Sequence, residues 1–265
     1  MSSYNDKFEK ESIPPNTTSQ KAYSVKFIAV GDSYVGKSCI TTRFVKDKFE
    51  EDRIAAIGVE FGSRQIIYNN TNYLVQIWDI TGQENFKSII REYYKESAVA
   101  LLIYDITNVE SFNNIKNWLE DCKYLAPSKT LLVLIGNKID IEEERKITKE
   151  MGEDFANENN MLFFETSARS GIGIEYVFQK CIENIDKRIN EGFYDLNDMS
   201  GNGIKKMKNK GENNVLEKKT LTKENKKKKK CCLQNYLLYF LNFFIIIFLN
   251  NFNLLIFFLK NLINS

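Results

Sequence analysis

The chain contains no histidine among its 265 residues. That excludes histidine acid–base catalysis, histidine-activated nucleophiles and histidine-ligated metals together. Its five cysteines, Cys39, Cys122, Cys181, Cys231 and Cys232, are odd in number and show no zinc-binding spacing. The first three fall in helical patterns and read as small apolar core residues in a reducing compartment. No N-terminal signal peptide is evident, and position 2 is not glycine, so N-myristoylation is not expected. A net charge of +2 conceals a crowding of lysine toward the C-terminus. Hydrophobic content of 43% with 27% charged residues fits a soluble globular core.

The stretch with the strongest signal is Gly31-Asp32-Ser33-Tyr34-Val35-Gly36-Lys37-Ser38. It follows the apolar run Val25 to Val30 and leads into a helical pattern from Cys39 to Phe44. Strand, glycine-bounded loop and helix with the spacing G-x-x-x-x-G-K-S form a phosphate-binding loop. Loop amides and the positive helix end suit a phosphate chain. Gly31 and Gly36 permit backbone angles and close approach that a β-carbon forbids. Lys37 brings a cation to the outer phosphates, and the Ser38 hydroxyl is a hard ligand for Mg²⁺. Gly31, Ser33, Tyr34, Val35, Gly36, Lys37, Ser38 and Cys39 are the nucleotide-binding candidates of this stretch.

Strand-like runs follow at 22–30, 59–68, 73–80, 98–104, 131–135 and 162–164. Asn69-Asn70-Thr71-Asn72 has the composition of a hairpin turn between the second and third. Apolar residues recur at helical spacing from Phe112 to Leu125 and from Ile174 to Ile189, and Thr148 is placed to cap a further helix. Strands alternating with helices predict an α/β fold: a doubly wound, mostly parallel sheet with helices on both faces. The ligand belongs beyond the C-terminal strand ends. The expected domains are a flexible polar tail over 1–21, a nucleotide-binding domain over 22–190, a disordered lysine-rich tail over 191–232, and an apolar extension over 233–265.

Three more loops sit after strands. In Trp78-Asp79-Ile80-Thr81-Gly82-Gln83-Glu84, Asp79 can hold Mg²⁺ through a water, Gly82 can meet a terminal phosphate, and Gln83 can orient an attacking water. In Gly136-Asn137-Lys138-Ile139-Asp140, the Asp140 carboxylate can accept two hydrogen bonds that guanine offers and adenine does not. Asn137 and Lys138 can shape and cover the base. Glu165-Thr166-Ser167-Ala168-Arg169 can place a backbone amide on the base oxygen.

In this order the motifs resemble those of the Ras superfamily of small GTPases. Ile57-Gly58-Val59-Glu60-Phe61, Trp78-Asp79, Gln83-Glu84-Asn85-Phe86, Tyr93-Tyr94 and Tyr104-Asp105-Ile106-Thr107 resemble the Rab branch, over about residues 22–190. The resemblance implies a GDP/GTP switch on vesicle traffic with Mg²⁺, loops that order around the γ-phosphate, and Phe49 packed on the guanine. It implies an exchange factor, a GTPase-activating protein, effectors and prenylation or escort machinery as partners. A monomer without nucleic-acid binding is expected, on the cytoplasmic face of endomembranes. Val59 to Arg64 points toward endosomal recycling.

Several positions depart from that branch. Ala56 stands where a threonine normally binds Mg²⁺ in the GTP state, Ile80 and Thr81 replace threonine and alanine, Tyr34 replaces a loop glycine, and Arg169 a lysine. Lost metal contact at Ala56 predicts a poorly ordered first switch loop and slow hydrolysis. The alternative is a membrane scaffold that holds guanine nucleotide without cycling.

Lys226 to Lys230 followed by Cys231-Cys232 look like a Rab C-terminus, in which both cysteines carry geranylgeranyl groups. Each basic residue near anionic lipid contributes about 1 kcal/mol, and two isoprenoid chains make the anchor durable. The chain nevertheless continues to Ser265. Either 233–265 is a tail anchor interrupted by Asn250, Asn251 and Asn253, or it is translated AT-rich non-coding sequence, since nearly all its residues have codons of A and T only.

Overall fold

A computed structural model describes residues 21–50, 58–80, 87–196 and 201–207, with side chains in the third stretch described from 91 onward. Ala55, Ala56, Thr81, Gly82, Gln83, Cys231, Cys232 and the 233–265 extension lie outside the described residues.

Strands β1 (Ala22–Val30), β2 (Val59–Tyr68), β3 (Thr71–Ile80), β4 (Val99–Asp105), β5 (Leu131–Asn137) and β6 (Leu162–Thr166) form one sheet in the order β2-β3-β1-β4-β5-β6. All neighbours are parallel except β2 and β3. The helices are α1 (Lys37–Lys46), α2 (Lys87–Tyr94), α3 (Val109–Asn113), α4 (Ile115–Leu125), α5 (Lys149–Glu158) and α6 (Ile174–Asn190). The doubly wound α/β expectation holds.

Period-two alternation splits the core into two layers. Val25, Phe27 and Ala29 of β1 pack with Ile40 and Phe44 of α1 and Phe178 and Cys181 of α6. Ile28 and Val30 join Tyr94, Leu119, Cys122 and Ala156 on the other face. All seven residues of β4 are buried, as a central parallel strand covered on both faces requires.

Local signals account for the element ends. The β2–β3 hairpin turns on Asn69 and Asn70 alone, with φ of 47° and 58°, and Tyr68 pairs directly with Thr71. Two successive positive φ values match the twist of a tight hairpin, and asparagine tolerates them. Thr148 accepts a hydrogen bond from the Met151 amide at 3.3 Å. The helical pattern 112–125 is broken at Asn114, because Asn108 caps a separate short helix by accepting from the Glu110 and Ser111 amides.

One strand comes from the stretch expected to be tail. Strand β7 (Ile204–Lys206) pairs antiparallel with β1 at Tyr23 to Val25. The Lys26 amide donates to Gly203 O at 2.8 Å, while Lys26 O accepts from the Ala98 amide at 2.9 Å. So β1 changes partner at Lys26: β7 covers the edge that β4 is too short to reach. Among the described residues no helix is long and apolar enough to cross a membrane.

Candidate nucleotide site

The parallel register brings the candidate loops to one edge of the sheet. Ala29 aligns with Asp79, Asp105 with Asn137, and Asn137 with Thr166. The strand ends that carry the candidate loops therefore line up along one side of the sheet, with the loop after β1 between the ends of β3 and β4.

Within the first loop, Gly36 adopts φ of +99°, and a β-carbon there would meet Asn137 Nδ2 at 2.3 Å. Gly31 is close to the sheet: its β-carbon would meet Ile103 O at 2.2 Å. Tight packing, on the Ile103 backbone for Gly31 and on the Asn137 side chain for Gly36, already requires both glycines. Lys37 is 5% exposed. Its Nζ donates to Gly31 O at 2.9 Å and Asp32 O at 2.7 Å, folding the loop around the ammonium. Burial pulls the Lys37 pKa below the usual lysine range, against the raising influence of Asp79 and Asp32. Such a poorly hydrated cation is well suited to an anionic ligand. Helix α1 starts with no side-chain cap, which leaves its N-terminus to backbone acceptors or an anion. Val35 is buried, Cys39 is half-buried, and Ser33 and Tyr34 face solvent.

The Ser38 hydroxyl donates to Asp79 Oδ2, and Asp79 is fully buried at the end of β3. A hydroxyl and a carboxylate side by side, without nitrogen or sulfur, fit the hard-oxygen preference of Mg²⁺. Among the described residues no group of three or more cysteine, aspartate or glutamate side chains forms another metal site.

At the far end, buried Asn137 bridges two loops. Its Nδ2 donates to Val35 O at 2.9 Å; its Oδ1 accepts from Thr166 Oγ1 at 3.1 Å and the Ala168 amide at 3.2 Å. Asp140 is exposed and accepts from Ser167 Oγ at 2.6 Å. Lys138, at φ of +74°, pairs with Asp105 at 2.6 Å. Arg169 is exposed beside Ala168. Phe49 is half-buried against the core layer that holds α1.

Two tethers have no motif to announce them. Asp32 accepts from Trp118 Nε1 and Asn114 Nδ2, each at 2.8 Å, which fastens the phosphate loop to α4. Arg43 reaches from α1 to the carbonyls of Ala168 and Arg169. Both join residues far apart in sequence, and only an unusual polar residue on an otherwise packed helix hints at them.

The sheet order and the loops gathered at its strand ends define the class of P-loop nucleotide-binding proteins. The sequence model described as the Ras family matches residues 26–187. The chain is 44% identical over 191 residues to "Ras-related protein Rab-4" of Dictyostelium discoideum, covering 69% of this chain and 93% of that protein. The chain belongs to the Ras family of small GTPases, in its Rab group. As such it binds guanine nucleotide and hydrolyses GTP to GDP and phosphate.

Proposed function

We propose that this protein is a GDP/GTP switch acting in vesicle traffic, with hydrolysis slowed by Ala56. The observation that carries the reading is the convergence of Lys37, the Ser38–Asp79 pair and the Asn137–Ser167–Asp140 cluster on one sheet edge. In this reading the amides of Gly31 to Cys39 cradle the phosphates and Lys37 neutralises them. Ser38 and Asp79 would hold Mg²⁺. When bound, the ion supplies charge neutralisation across the outer phosphates. Asp140 accepts from the guanine ring N–H and amino group, Ala168 presents its amide to the base oxygen, and Lys138, Arg169 and Phe49 wall the base. Gln83 orients the water, and Gly82 meets the γ-phosphate.

A partner surface adjoins this site. Phe61, Trp78 and Tyr93 stand in a row with ring centroids 5.0 and 5.3 Å apart, and Phe61 is 53% exposed. An exposed aromatic ring backed by half-buried ones is the kind of feature found at protein interfaces. A row built from β2, β3 and α2 suits a protein effector. In this reading the protein sits on endosomal membranes, toward which the Val59 to Arg64 stretch points, with Cys231 and Cys232 as the prenylated anchor.

Single-turnover hydrolysis tests the central point. Ala56→Thr is expected to hydrolyse bound GTP roughly tenfold faster, the effect of about 1.4 kcal/mol on the barrier. An unchanged rate would remove Ala56 as the cause of slow turnover. Effector capture that ignores whether GDP or GTP is bound would favour the non-cycling scaffold instead.

A further inference from the structure

Arg43 lies between the two ends of the nucleotide groove. It sits on α1, whose first turn carries Lys37 and Ser38, yet its side chain points to the loop after β6. Nε donates to Ala168 O at 2.9 Å and Nη2 to Arg169 O at 2.6 Å. The third nitrogen, Nη1, faces Asp47, with its carbonyl at 3.3 Å and its carboxylate at 3.6 Å. The side chain is 17% exposed, and its bond to Ala168 O is the most buried of the three.

Holding a carbonyl fixes the whole peptide plane. The two planes that Arg43 holds carry the Arg169 and Ser170 amides. The Ser170 amide donates to Ser167 Oγ at 3.0 Å, and Ser167 Oγ donates to Asp140 at 2.6 Å. A continuous path therefore runs from the guanidinium, through the Arg169–Ser170 peptide plane and one hydroxyl, to the Asp140 carboxylate. A planar fork can hold two successive carbonyls at once; an ammonium on a flexible stem cannot do so in one fixed geometry.

We propose that Arg43 is a positioning residue for guanine recognition, tying the loop that reads the base to the helix that holds the phosphates. This rests on the reading of Asp140 and residues 166–169 as the base site. Arg43 acts through that loop, so its loss weakens nucleotides that engage the base and spares ligands that engage the phosphate loop alone.

The test uses the full chain with Arg43→Lys, Arg43→Gln and, separately, Asp140→Ala. Release of GDP and GTP is timed by displacement of a fluorescent nucleotide, and inorganic tripolyphosphate is titrated as the ligand without a base. Arg43→Lys, which keeps the stem and charge, is expected to release GDP and GTP faster by a common factor of about ten, equivalent to about 1.4 kcal/mol. Arg43→Gln shifts both further. Tripolyphosphate affinity stays as in the wild type, and hydrogen exchange quickens at the Arg169 and Ser170 amides but not over 31–37. Loss of tripolyphosphate affinity in step with GDP would make Arg43 a general support of α1 and overturn the proposal. So would unchanged GDP release in both variants. Should Asp140→Ala leave the preference for GDP over ADP intact, the base-site reading itself fails and takes the proposal with it.

Discussion

Tyr34 holds φ of +66° in the middle of the phosphate loop, with its ring 80% exposed. A β-carbon makes that region costly, by about 1 kcal/mol or more, and the exposed ring recovers little of it through packing. Tyr34→Gly is therefore expected to raise the melting temperature by roughly 2–4 °C, the shift that about 1 kcal/mol produces in a domain of this size. Scanning calorimetry of the two proteins checks this; a lower melting temperature would mean that the ring has a partner worth more than the strain. The substituted glycine was visible in the sequence as a departure from a pattern. Its strain was not, because φ is a property of the folded loop.

Individual elements show where pattern reading succeeds and where it stops. Continuous apolar runs such as Val99 to Tyr104 identify central strands because both faces of a parallel sheet are covered. The Asn69-Asn70 turn is equally local. Strand β7 escaped, since Ile204-Lys205-Lys206 has one apolar residue and no alternation to detect. Its place depends on the open edge of β1, far earlier in the chain, where Ile204 pairs with Val25. Ile204 is 5% exposed within the core layer. Ile204→Asp is expected to detach β7, costing about 2 kcal/mol and roughly 4–8 °C of melting temperature. Hydrogen exchange would then accelerate at the Lys26 and Met207 amides, which donate to Gly203 O and Ala22 O, while nucleotide affinity is unchanged. Retained protection at Lys26 would show that the edge does not need this strand.

At the scale of the whole molecule, nucleotide binding and folding are linked, because the loops that converge on the site are also joined through the core. Cys122 and Cys181 report on that link. Both are buried, and burial pushes both thiols well above the usual cysteine range. Their thiolates are scarce until the chain opens. Alkylation at these two positions, followed by peptide mass, is expected to proceed in proportion to the open fraction of the protein. GDP with Mg²⁺ at about 100 times its dissociation constant should slow it about 100-fold where opening is a fast pre-equilibrium, from about 2.7 kcal/mol of added stability; ADP should not. Equal protection by ADP would contradict guanine selectivity.

The amino-acid sequence by itself determined the order of strands β1 to β6, and which residue types follow each of them. Those features depend on spacing along a few neighbouring residues, where helix and strand periods and glycine positions act directly. Only the tertiary structure decided that Asn137 would bridge Val35 to Ala168, that Asp32 would hang from Trp118, and that Arg43 would clasp a loop 125 positions away. Hydrogen bonds carry no sequence period. Their partners become neighbours only once parallel strands have stacked in register and brought their ends to a common edge.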